Sequence, residues 1–262
     1  MGTFQLILLS IIQGLTEFLP ISSSAHLVLI SDFINEEDQG IVFDVGVHFG
    51  TMMAALIYFR KEVKEMFSGL ISMNFFNKKN ILFFNLIVGV IPILVVGYFF
   101  RDSVETSLRN VEVIAYSTIG FGLLLYLAHK FKKKHKNLNS LSLSQAFVIG
   151  LFQCLALIPG TSRSGITITA GLFLGLNATS ASRFSFLLAI PTIGAISLVE
   201  LIRLSKMDLS QNSLQLLLAA SISFVVAYAT INIFLRLIDR IGFTPFVIYR
   251  LILGGWLLLF WL

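Results

Sequence analysis

Two polar interruptions decide how this chain can fold: QGLTEFLPISSSAH at residues 13–26 and PGTSRSG at residues 159–165. Each lies inside a longer apolar region, residues 3–31 in the first case and 143–177 in the second. A helix that faces lipid does not tolerate such breaks, because a backbone group without a hydrogen bond in hydrocarbon costs several kcal/mol. We therefore predict that both regions are re-entrant hairpins or broken helices, covered by protein or lining a cavity.

The composition around these interruptions is that of a membrane protein. Of the 262 residues, 56% are hydrophobic and 13% are charged, and the mean hydropathy is +0.87. Soluble domains carry roughly 25% charged residues, so a water-soluble globular enzyme is nearly excluded. At roughly 20 residues per spanning helix, the chain holds about eight to ten segments at membrane depth and no separate soluble domain. We predict one integral membrane domain over residues 1–262.

Six further segments are long and apolar enough to span a bilayer as helices. They cover about residues 42–59, 81–100, 112–129, 183–202, 213–235 and 243–262. Together with the two interrupted regions, they predict an all-α polytopic membrane protein with about six transmembrane helices and two re-entrant or broken-helix hairpins.

Basic residues predict the orientation, because cytoplasmic loops carry an excess of lysine and arginine. Five lysines lie at residues 130–136, and the loop at 60–80 also contains five basic residues. Residues 1–59 contain six acidic residues and no lysine or arginine. We predict that the loops at 60–80 and 130–142 are cytoplasmic and that the loop at 32–40 lies outside.

The two halves of the chain, about residues 1–129 and 143–262, resemble each other weakly. The stretch FDVGVHFGTMMA at 43–54, for example, aligns with FSFLLAIPTIGA at 184–195, in the same order as the two Ser-rich breaks. Three spans and one hairpin per half would place the halves in opposite orientations. This pattern predicts an inverted-topology repeat whose functional site lies between discontinuous helices, with the two breaks facing each other.

The breaks contain the ionisable residues that suit a lipid environment least, Glu17 and Arg163. Charged residues at membrane depth mark functional sites by default, although a structural ion pair between the two halves is the alternative. Gln13 and Glu17 share a helix face because they are four residues apart. With His26 and the serine hydroxyls, the first break supplies the groups of an acid–base or nucleophilic site.

The second break has the composition of a phosphate cradle. Glycines let backbone N–H groups approach a ligand closely, hydroxyls donate hydrogen bonds, and the Arg163 guanidinium can bind two oxygens at once. A helix that begins there adds the positive end of its dipole. The alternative is that these hydroxyls merely form hydrogen bonds between helices. The candidate ligand-binding residues are Gly160, Thr161, Ser162, Ser164, Gly165 and Thr167.

Both interruptions resemble the signatures of the undecaprenyl-diphosphatase family, also called the bacitracin-resistance protein family. The first signature is Glu or Gln, three residues, Glu, and then a Pro-x-Ser-Ser-x-x-His run, which residues 13–26 match. The second is Pro-Gly-x-Ser-Arg-Ser, which residues 159–164 match. The resemblance extends over essentially the whole chain. Gln13 stands where many members have Glu, which leaves one carboxylate fewer for a metal.

The resemblance implies hydrolysis of undecaprenyl pyrophosphate to undecaprenyl phosphate and inorganic phosphate. This reaction recycles the lipid carrier for cell-wall synthesis and confers resistance to bacitracin. The resemblance also implies an interdigitated inverted-repeat fold in the bacterial cytoplasmic (inner) membrane and a divalent cation, Mg²⁺ or Ca²⁺. The expected partners are a polyprenyl pyrophosphate lipid and the bilayer, without nucleic acid, and a homodimer is left open.

The roles follow from the resemblance and from side-chain chemistry. Arg163 is assigned to clamping the pyrophosphate and stabilising the transferring phosphoryl group. Glu17 is the predicted general base or, with Gln13, a ligand of the cation. Ser23 is the predicted nucleophile, with direct attack by water left open, and His26 would activate a hydroxyl or protonate the leaving phosphate. The residues assigned to phosphate binding or helix capping are Ser22, Ser24, Ser162, Ser164 and Thr167.

Five other polar residues receive structural interpretations. Asp44 and His48 begin a predicted span, where a capping and structural role is favoured over a site role. Arg183 and Arg250 lie near span ends, where arginine side chains snorkel towards the interface. Arg250 is the deeper of the two, and its role is left open. His129 is assigned to the solvated basic loop.

A secondary transporter or flippase of polyprenyl phosphate lipids is the main alternative, because inverted repeats with broken helices also build transporters. A transporter needs no nucleophile, so Ser23 and His26 opposite Arg163 favour hydrolysis. The other large superfamily of lipid phosphatases requires a histidine after its Ser-Arg pair. Neither Ser-Arg pair of this chain, at 162–163 or 182–183, is followed by one.

Overall fold

The computed structural model describes residues 2–33, 39–71, 78–108, 110–131, 136–204 and 213–261. Its regular structure over these residues is helical, which confirms the predicted all-α class. Short 3₁₀ helices at Leu138–Ser140 and Cys154–Leu157 accompany the α-helices. The α-helices are α1 (Thr3–Thr16), α2 (Ser23–Phe33), α3 (Gly40–Tyr58), α4 (Arg60–Ile71), α5 (Lys78–Ser107), α6 (Val111–Lys130), α7 (Leu143–Gln153), α8 (Arg163–Phe173), α9 (Ala178–Leu204), α10 (Ser213–Ile241) and α11 (Thr244–Phe260).

Most predicted transmembrane segments are helices long and apolar enough to cross a membrane. Among the described residues there are five such helices, within α3, α5, α6, α9 and α10. The sixth predicted span, at 243–262, forms α11, whose 17 residues are at the lower end of the spanning range. Large apolar side chains remain exposed on these helices, with Tyr98 at 84% and Leu259 at 78%, as expected for a surface that meets lipid.

Both interrupted regions are broken helices, as predicted. The first helix of each region, α1 or α7, ends before the proline of the break, and α2 or α8 begins after it. Proline cannot donate the backbone hydrogen bond that a continuing helix needs. Ser22 and Ser162, which directly precede α2 and α8, have φ angles of 73° and 70°. This left-handed conformation redirects the chain immediately before the second helix of each region begins.

The first helix of each broken region packs against a span of the other half. Helix α1 packs on α10, and α7 packs on α5, while α3 packs on α9 and α6 on α11. This exchange is the packing that an interdigitated repeat predicts. The division into halves at residues 130–142 and their orientation in a membrane remain predictions.

The structural interpretations of Arg183 and His129 made from the sequence are wrong. Arg183 does not extend freely towards an interface, because its guanidinium pairs with Glu62 of α4 and lies 5.5 Å from the centre of the Phe59 ring. His129 is not a loop residue but belongs to the last turn of α6. Its half-buried ring meets the Phe243 ring edge-on at 5.5 Å. The basic residues at 132–134 and the acidic residues at 36–38 lie outside the described residues, so the predicted sidedness remains a prediction.

Candidate active site

The Glu17 carboxylate joins the two breaks. It is 6% exposed, and its Oε1 atom accepts a hydrogen bond from Nη2 of Arg163, which begins α8. Its Oε2 atom accepts hydrogen bonds from Gln13 Nε2 at 2.8 Å and from Ser23 Oγ at 2.7 Å. Three other residues predicted for the site, Gln13, Ser23 and Arg163, therefore converge on the buried Glu17 carboxylate.

Local backbone geometry places Ser23 beside Glu17. Helix α1 closes with the Glu17 N–H donating to the carbonyl of Gln13 at 3.0 Å. The chain then turns tightly, because the Ile21 N–H donates to the Leu19 carbonyl, only two residues earlier, at 2.8 Å. Ser23 follows the left-handed residue as the first residue of α2 and points its hydroxyl back to Glu17.

The second break is shaped by Gly160 and Ser162. Gly160 has a φ of +88° and lies against Ser117 and Ile114 of α6, where a side chain would meet their atoms. Ser162 caps α8, since its Oγ accepts a hydrogen bond from the Gly165 N–H at 3.1 Å. The capping role that the sequence analysis allowed for Ser162 is thus observed.

A direct hydrogen bond also links the two breaks. The Ser164 hydroxyl donates to the Leu19 carbonyl at 2.9 Å, which fixes the start of α8 against the first turn. This contact uses Ser164 for positioning. Thr167, predicted to bind phosphate, instead contacts the Ser185 hydroxyl of α9 at 2.7 Å and so packs α8 on α9. Ser24 is exposed and lies 3.3 Å from the Ser22 hydroxyl.

Arg250 is a site residue that sequence reasoning missed. The snorkelling interpretation is wrong, because its side chain is fully buried and its guanidinium donates to five backbone carbonyls. Two of these carbonyls belong to α6, one to the first break and two to the second. Arg250 therefore connects both breaks and α6 to its own helix, α11. The acceptors, at 2.9–3.4 Å, are Pro20, Ser117, Thr118, Gly160 and Thr161.

His48 also belongs to the site, so the purely structural interpretation of this residue is wrong. Its Nε2 atom lies 3.7 Å from Glu17 Oε2, and its Nδ1 donates to the Asp44 carbonyl at 2.7 Å. The spacing of Asp44 and His48 along one helix gave no sign that α3 packs beside α1. The side chain of His48 is 31% exposed.

His26 is not directed at the predicted nucleophile. Its Nδ1 atom lies 2.6 Å from the Ser22 carbonyl oxygen, and its Nε2 atom lies 2.5 Å from the Tyr249 hydroxyl. The side chain that contacts the Ser23 hydroxyl is Glu17. His26 therefore forms a hydrogen bond with the backbone carbonyl of the residue before Ser23.

Three buried polar atoms of the site lack a hydrogen-bond partner among the described residues: Arg163 Nη1, Thr161 Oγ1 and Gln13 Oε1. An unpaired buried donor or acceptor costs about 1–3 kcal/mol, so each of these three atoms needs a functional explanation. The guanidinium N–H and the hydroxyl suit the oxygens of an anion, and the amide oxygen suits a donor or a cation.

The protein alone offers few ligands for a metal. Among the described residues, no group of three or more His, Cys, Asp or Glu side chains could hold an ion. The side-chain oxygens at the centre of the site belong to the Glu17 carboxylate, the Gln13 amide and the Ser23 hydroxyl, and the Arg163 guanidinium lies beside the carboxylate.

Comparisons with known proteins agree with this geometry. Residues 6–256 match the family described as Bacitracin resistance protein BacA. "Undecaprenyl-diphosphatase 1" of Pseudoalteromonas translucida is 48% identical over 263 residues, 99% of each chain. Proteins named "Undecaprenyl-diphosphatase" from Hahella chejuensis and Alteromonas mediterranea are 46% and 47% identical, over at least 99% of each chain. The chain therefore belongs to the bacitracin resistance protein BacA family.

Proposed function

We propose that this protein hydrolyses undecaprenyl pyrophosphate to undecaprenyl phosphate and inorganic phosphate. One observation carries the proposal: Ser23 Oγ, Glu17 and Arg163 meet at the junction of two broken helices, with unpaired donors beside them. The names of full-length relatives at 46–48% identity support the same substrate. The reaction regenerates the lipid carrier for the cell wall and accounts for the family's association with bacitracin resistance.

The second break binds the pyrophosphate. Arg163 keeps one guanidinium nitrogen on Glu17, which leaves Nη1 free for a phosphate oxygen. The Thr161 hydroxyl is a second unpaired donor in the same break. Donors held by the protein before the reaction stabilise the charge that develops on the transferring phosphoryl group without reorganisation.

Ser23 is the nucleophile in the route that the geometry favours. Its Oγ forms a bond to the terminal phosphorus while the bond from that phosphorus to the bridging oxygen breaks, and undecaprenyl phosphate leaves with that oxygen. The Ser23 proton passes to Glu17 Oε2, 2.7 Å away, and from there to the departing undecaprenyl phosphate. Water then attacks the phosphorus, with Glu17 taking a proton from the water and returning it to Ser23 Oγ as the Oγ–P bond breaks, which releases inorganic phosphate and restores the serine hydroxyl.

Direct attack by water is the competing route, with Glu17 taking the proton from the water molecule. The two routes differ in whether phosphate is ever bonded to the protein. Acid quenching during turnover of substrate labelled with ³²P in the terminal phosphate distinguishes them. Label on Ser23 supports the serine route, and phosphate release without protein-bound label supports the water route.

The divalent cation enters this proposal together with the substrate. Glu17 and the unpaired Gln13 Oε1 are the protein oxygens available to it, and both suit a hard ion such as Mg²⁺ or Ca²⁺. A bound cation would neutralise part of the pyrophosphate charge. Because the protein supplies so few ligands, we expect Mn²⁺ binding, followed by electron paramagnetic resonance, to be strong only when inorganic pyrophosphate is present.

The bacterial inner membrane is the proposed location, since the substrate is a membrane lipid and the helices suit a bilayer. A homodimer is a further part of the proposal. Light scattering of the protein in detergent measures the mass of the protein component, which should be about twice that of the 29.1 kDa chain. The mass of a single chain would contradict the dimer and leave the enzymatic proposal unchanged.

Phosphate release from undecaprenyl pyrophosphate by the detergent-purified protein tests the proposed activity. Wild-type protein should release phosphate, and Glu17→Gln should release at least about 100-fold less, because the acceptor of the Ser23 proton is lost. Equal elution profiles in size-exclusion chromatography would show that both proteins are folded. Tight lipid binding without release by the wild type would contradict hydrolysis and favour the transport of polyprenyl phosphate lipids.

A further inference from the structure

His26 and Tyr249 form a contact that the proposed reaction does not use. His26 lies on α2 and is 7% exposed, whereas Tyr249 lies on α11 and is 41% exposed. The Tyr249 hydroxyl oxygen is 2.5 Å from His26 Nε2. The two rings are nearly parallel, at 11°, with their centres 5.6 Å apart. The contact therefore combines a hydrogen bond with close packing of the rings.

The surroundings of the imidazole determine where its proton lies. The Ser22 carbonyl, 2.6 Å from Nδ1, can only accept a hydrogen bond, so Nδ1 must carry a proton. In the neutral ring, Nε2 is then an acceptor. The Tyr249 hydroxyl, which can donate or accept, then donates to Nε2. Tyr249 thus occupies the second ring nitrogen and holds the imidazole in the orientation in which Nδ1 donates to the Ser22 carbonyl.

The held carbonyl belongs to the residue on which the geometry of the first break depends. Ser22 has a φ of 73°, a strained conformation for a residue other than glycine. The next residue, Ser23, presents its hydroxyl to Glu17 at 2.7 Å. A hydrogen bond from His26 to the Ser22 carbonyl helps to fix this turn and, with it, the direction of the Ser23 side chain.

We propose that Tyr249 is a positioning residue for the nucleophile. Its hydroxyl donates to His26 Nε2, His26 Nδ1 donates to the Ser22 carbonyl, and the Ser22 turn aims Ser23 at Glu17. Tyr249 acts through this chain of contacts and does not touch the reacting atoms. The proposal rests on the proposed phosphatase function, with Ser23 as the nucleophile.

The next residue along α11 supports this assignment. Arg250 donates to carbonyls of both breaks, including that of Pro20 at 3.3 Å. One turn of α11 therefore fixes the first break at two points, through Arg250 on one side and through Tyr249 and His26 on the other. The stretch YSTIGFG at 116–122 of α6 resembles YRLILGG at 249–255 of α11, so Tyr116 corresponds to Tyr249 in sequence, but Tyr116 is 59% exposed. Tyr116 is thus a matched control on the helix that pairs with α11.

The variant Tyr249→Phe removes one hydroxyl and keeps the ring. We expect kcat for phosphate release to fall about 10–100-fold with KM changed less than twofold, because misplacement of a reacting group by about 1 Å costs up to about 100-fold in rate while the phosphate contacts remain. The control Tyr116→Phe should keep both values. Size-exclusion profiles of the three proteins establish that all are folded.

A direct measurement of the hydrogen bond between His26 and Tyr249 separates this proposal from the proposed function. The chain has four histidines, so ¹⁵N-histidine labelling combined with His26→Gln identifies the His26 signals. In the wild type they should be those of the Nδ1–H tautomer with Nε2 accepting a hydrogen bond, and in Tyr249→Phe the Nε2 signal should shift because that nitrogen loses its donor. Unchanged signals, an unchanged kcat or a loss confined to KM would each overturn the positioning role. An inactive wild type would instead contradict the phosphatase, whatever the His26 signals.

Discussion

The two breaks share a backbone conformation immediately before their second helices and differ in chemistry. Ser22 and Ser162 both adopt a left-handed conformation immediately before a helix. Each serine hydroxyl lies near that of the serine two residues later, at 3.3 Å in the first break and 3.2 Å in the second. The first helical residue is Ser23 in one break and Arg163 in the other, and both contact Glu17.

This comparison shows how a repeated scaffold acquires one active site. The same turn presents a side chain from each half to the same carboxylate. In the proposed reaction that side chain is the nucleophile in the first break and a cation that binds phosphate in the second. The two breaks thus place a side chain in similar positions. The residue at the first helical position determines whether a break provides the proposed nucleophile or the proposed phosphate ligand.

The largest effect is expected for the nucleophile. Ser23→Ala should reduce kcat on the order of 10⁴-fold or more, because removal of a nucleophile eliminates the covalent route. Steady-state phosphate release measures the loss. Ser221→Ala, which changes an exposed hydroxyl on α10, is the control and should keep the wild-type rate. A Ser23→Ala enzyme with more than a tenth of the wild-type rate would remove the nucleophile from the first break.

A smaller loss of rate is expected for the corresponding residue of the second break. Arg163→Ala should lower kcat/KM about 10²–10³-fold, since one preorganised donor to the phosphoryl group disappears. Arg163→Lys should restore little, because an ammonium cannot bind Glu17 and phosphate through separate nitrogens of one planar group. The exposed Arg240→Ala serves as the control, and kinetics of all three variants make the comparison. Full activity of Arg163→Lys would show that only charge is needed.

Arg250→Met tests whether one helix holds the two breaks together. The free energy of unfolding should fall by about 3 kcal/mol, because several buried carbonyls lose their donor, although burial of a charge is relieved. Thermal unfolding in detergent measures this effect, and Arg240→Ala is again the control. An unchanged melting temperature would indicate that the breaks keep their geometry without Arg250.

The smallest effect distinguishes the two left-handed serines. Glycine at either position relieves an unfavourable φ, but Ser162→Gly also removes the hydroxyl that caps α8. Within the described part of the chain, the Ser22 hydroxyl contacts the Ser24 hydroxyl and no helix end. Ser22→Gly should therefore be more stable than Ser162→Gly by about 1 kcal/mol. The melting temperatures of the two variants provide the comparison. The opposite order would mean that the Ser162 capping hydrogen bond does not account for the difference in stability between the two variants.

The sequence predicted the features that depend on local chemistry. Proline and serine runs in apolar surroundings predicted both breaks. The charges of Glu17 and Arg163 predicted one functional site with an ion pair between the halves as the alternative, and the structure contains that ion pair. Most spans followed from hydropathy alone, although α11 is shorter than its predicted segment.

The sequence could not predict the contacts that depend on packing between distant helices. Arg250 binds backbone carbonyls, which carry no signal in the amino-acid sequence. His48 and Tyr249 reach the site because α3 and α11 lie beside the first break, and their own neighbours along the chain suggested only helical spans. His26 matched a family signature, yet the direction of its ring depends on Tyr249.

Equilibrium binding of undecaprenyl pyrophosphate to Ser23→Ala and Arg163→Ala tests the division of work between the breaks most directly. Ser23→Ala should bind the lipid with a Kd within about threefold of the wild-type value, because phosphate contacts of the second break remain. Arg163→Ala should bind at least about tenfold more weakly, since it loses a charge-assisted contact. Equal losses of affinity in the two variants, or none in Arg163→Ala, would contradict this division.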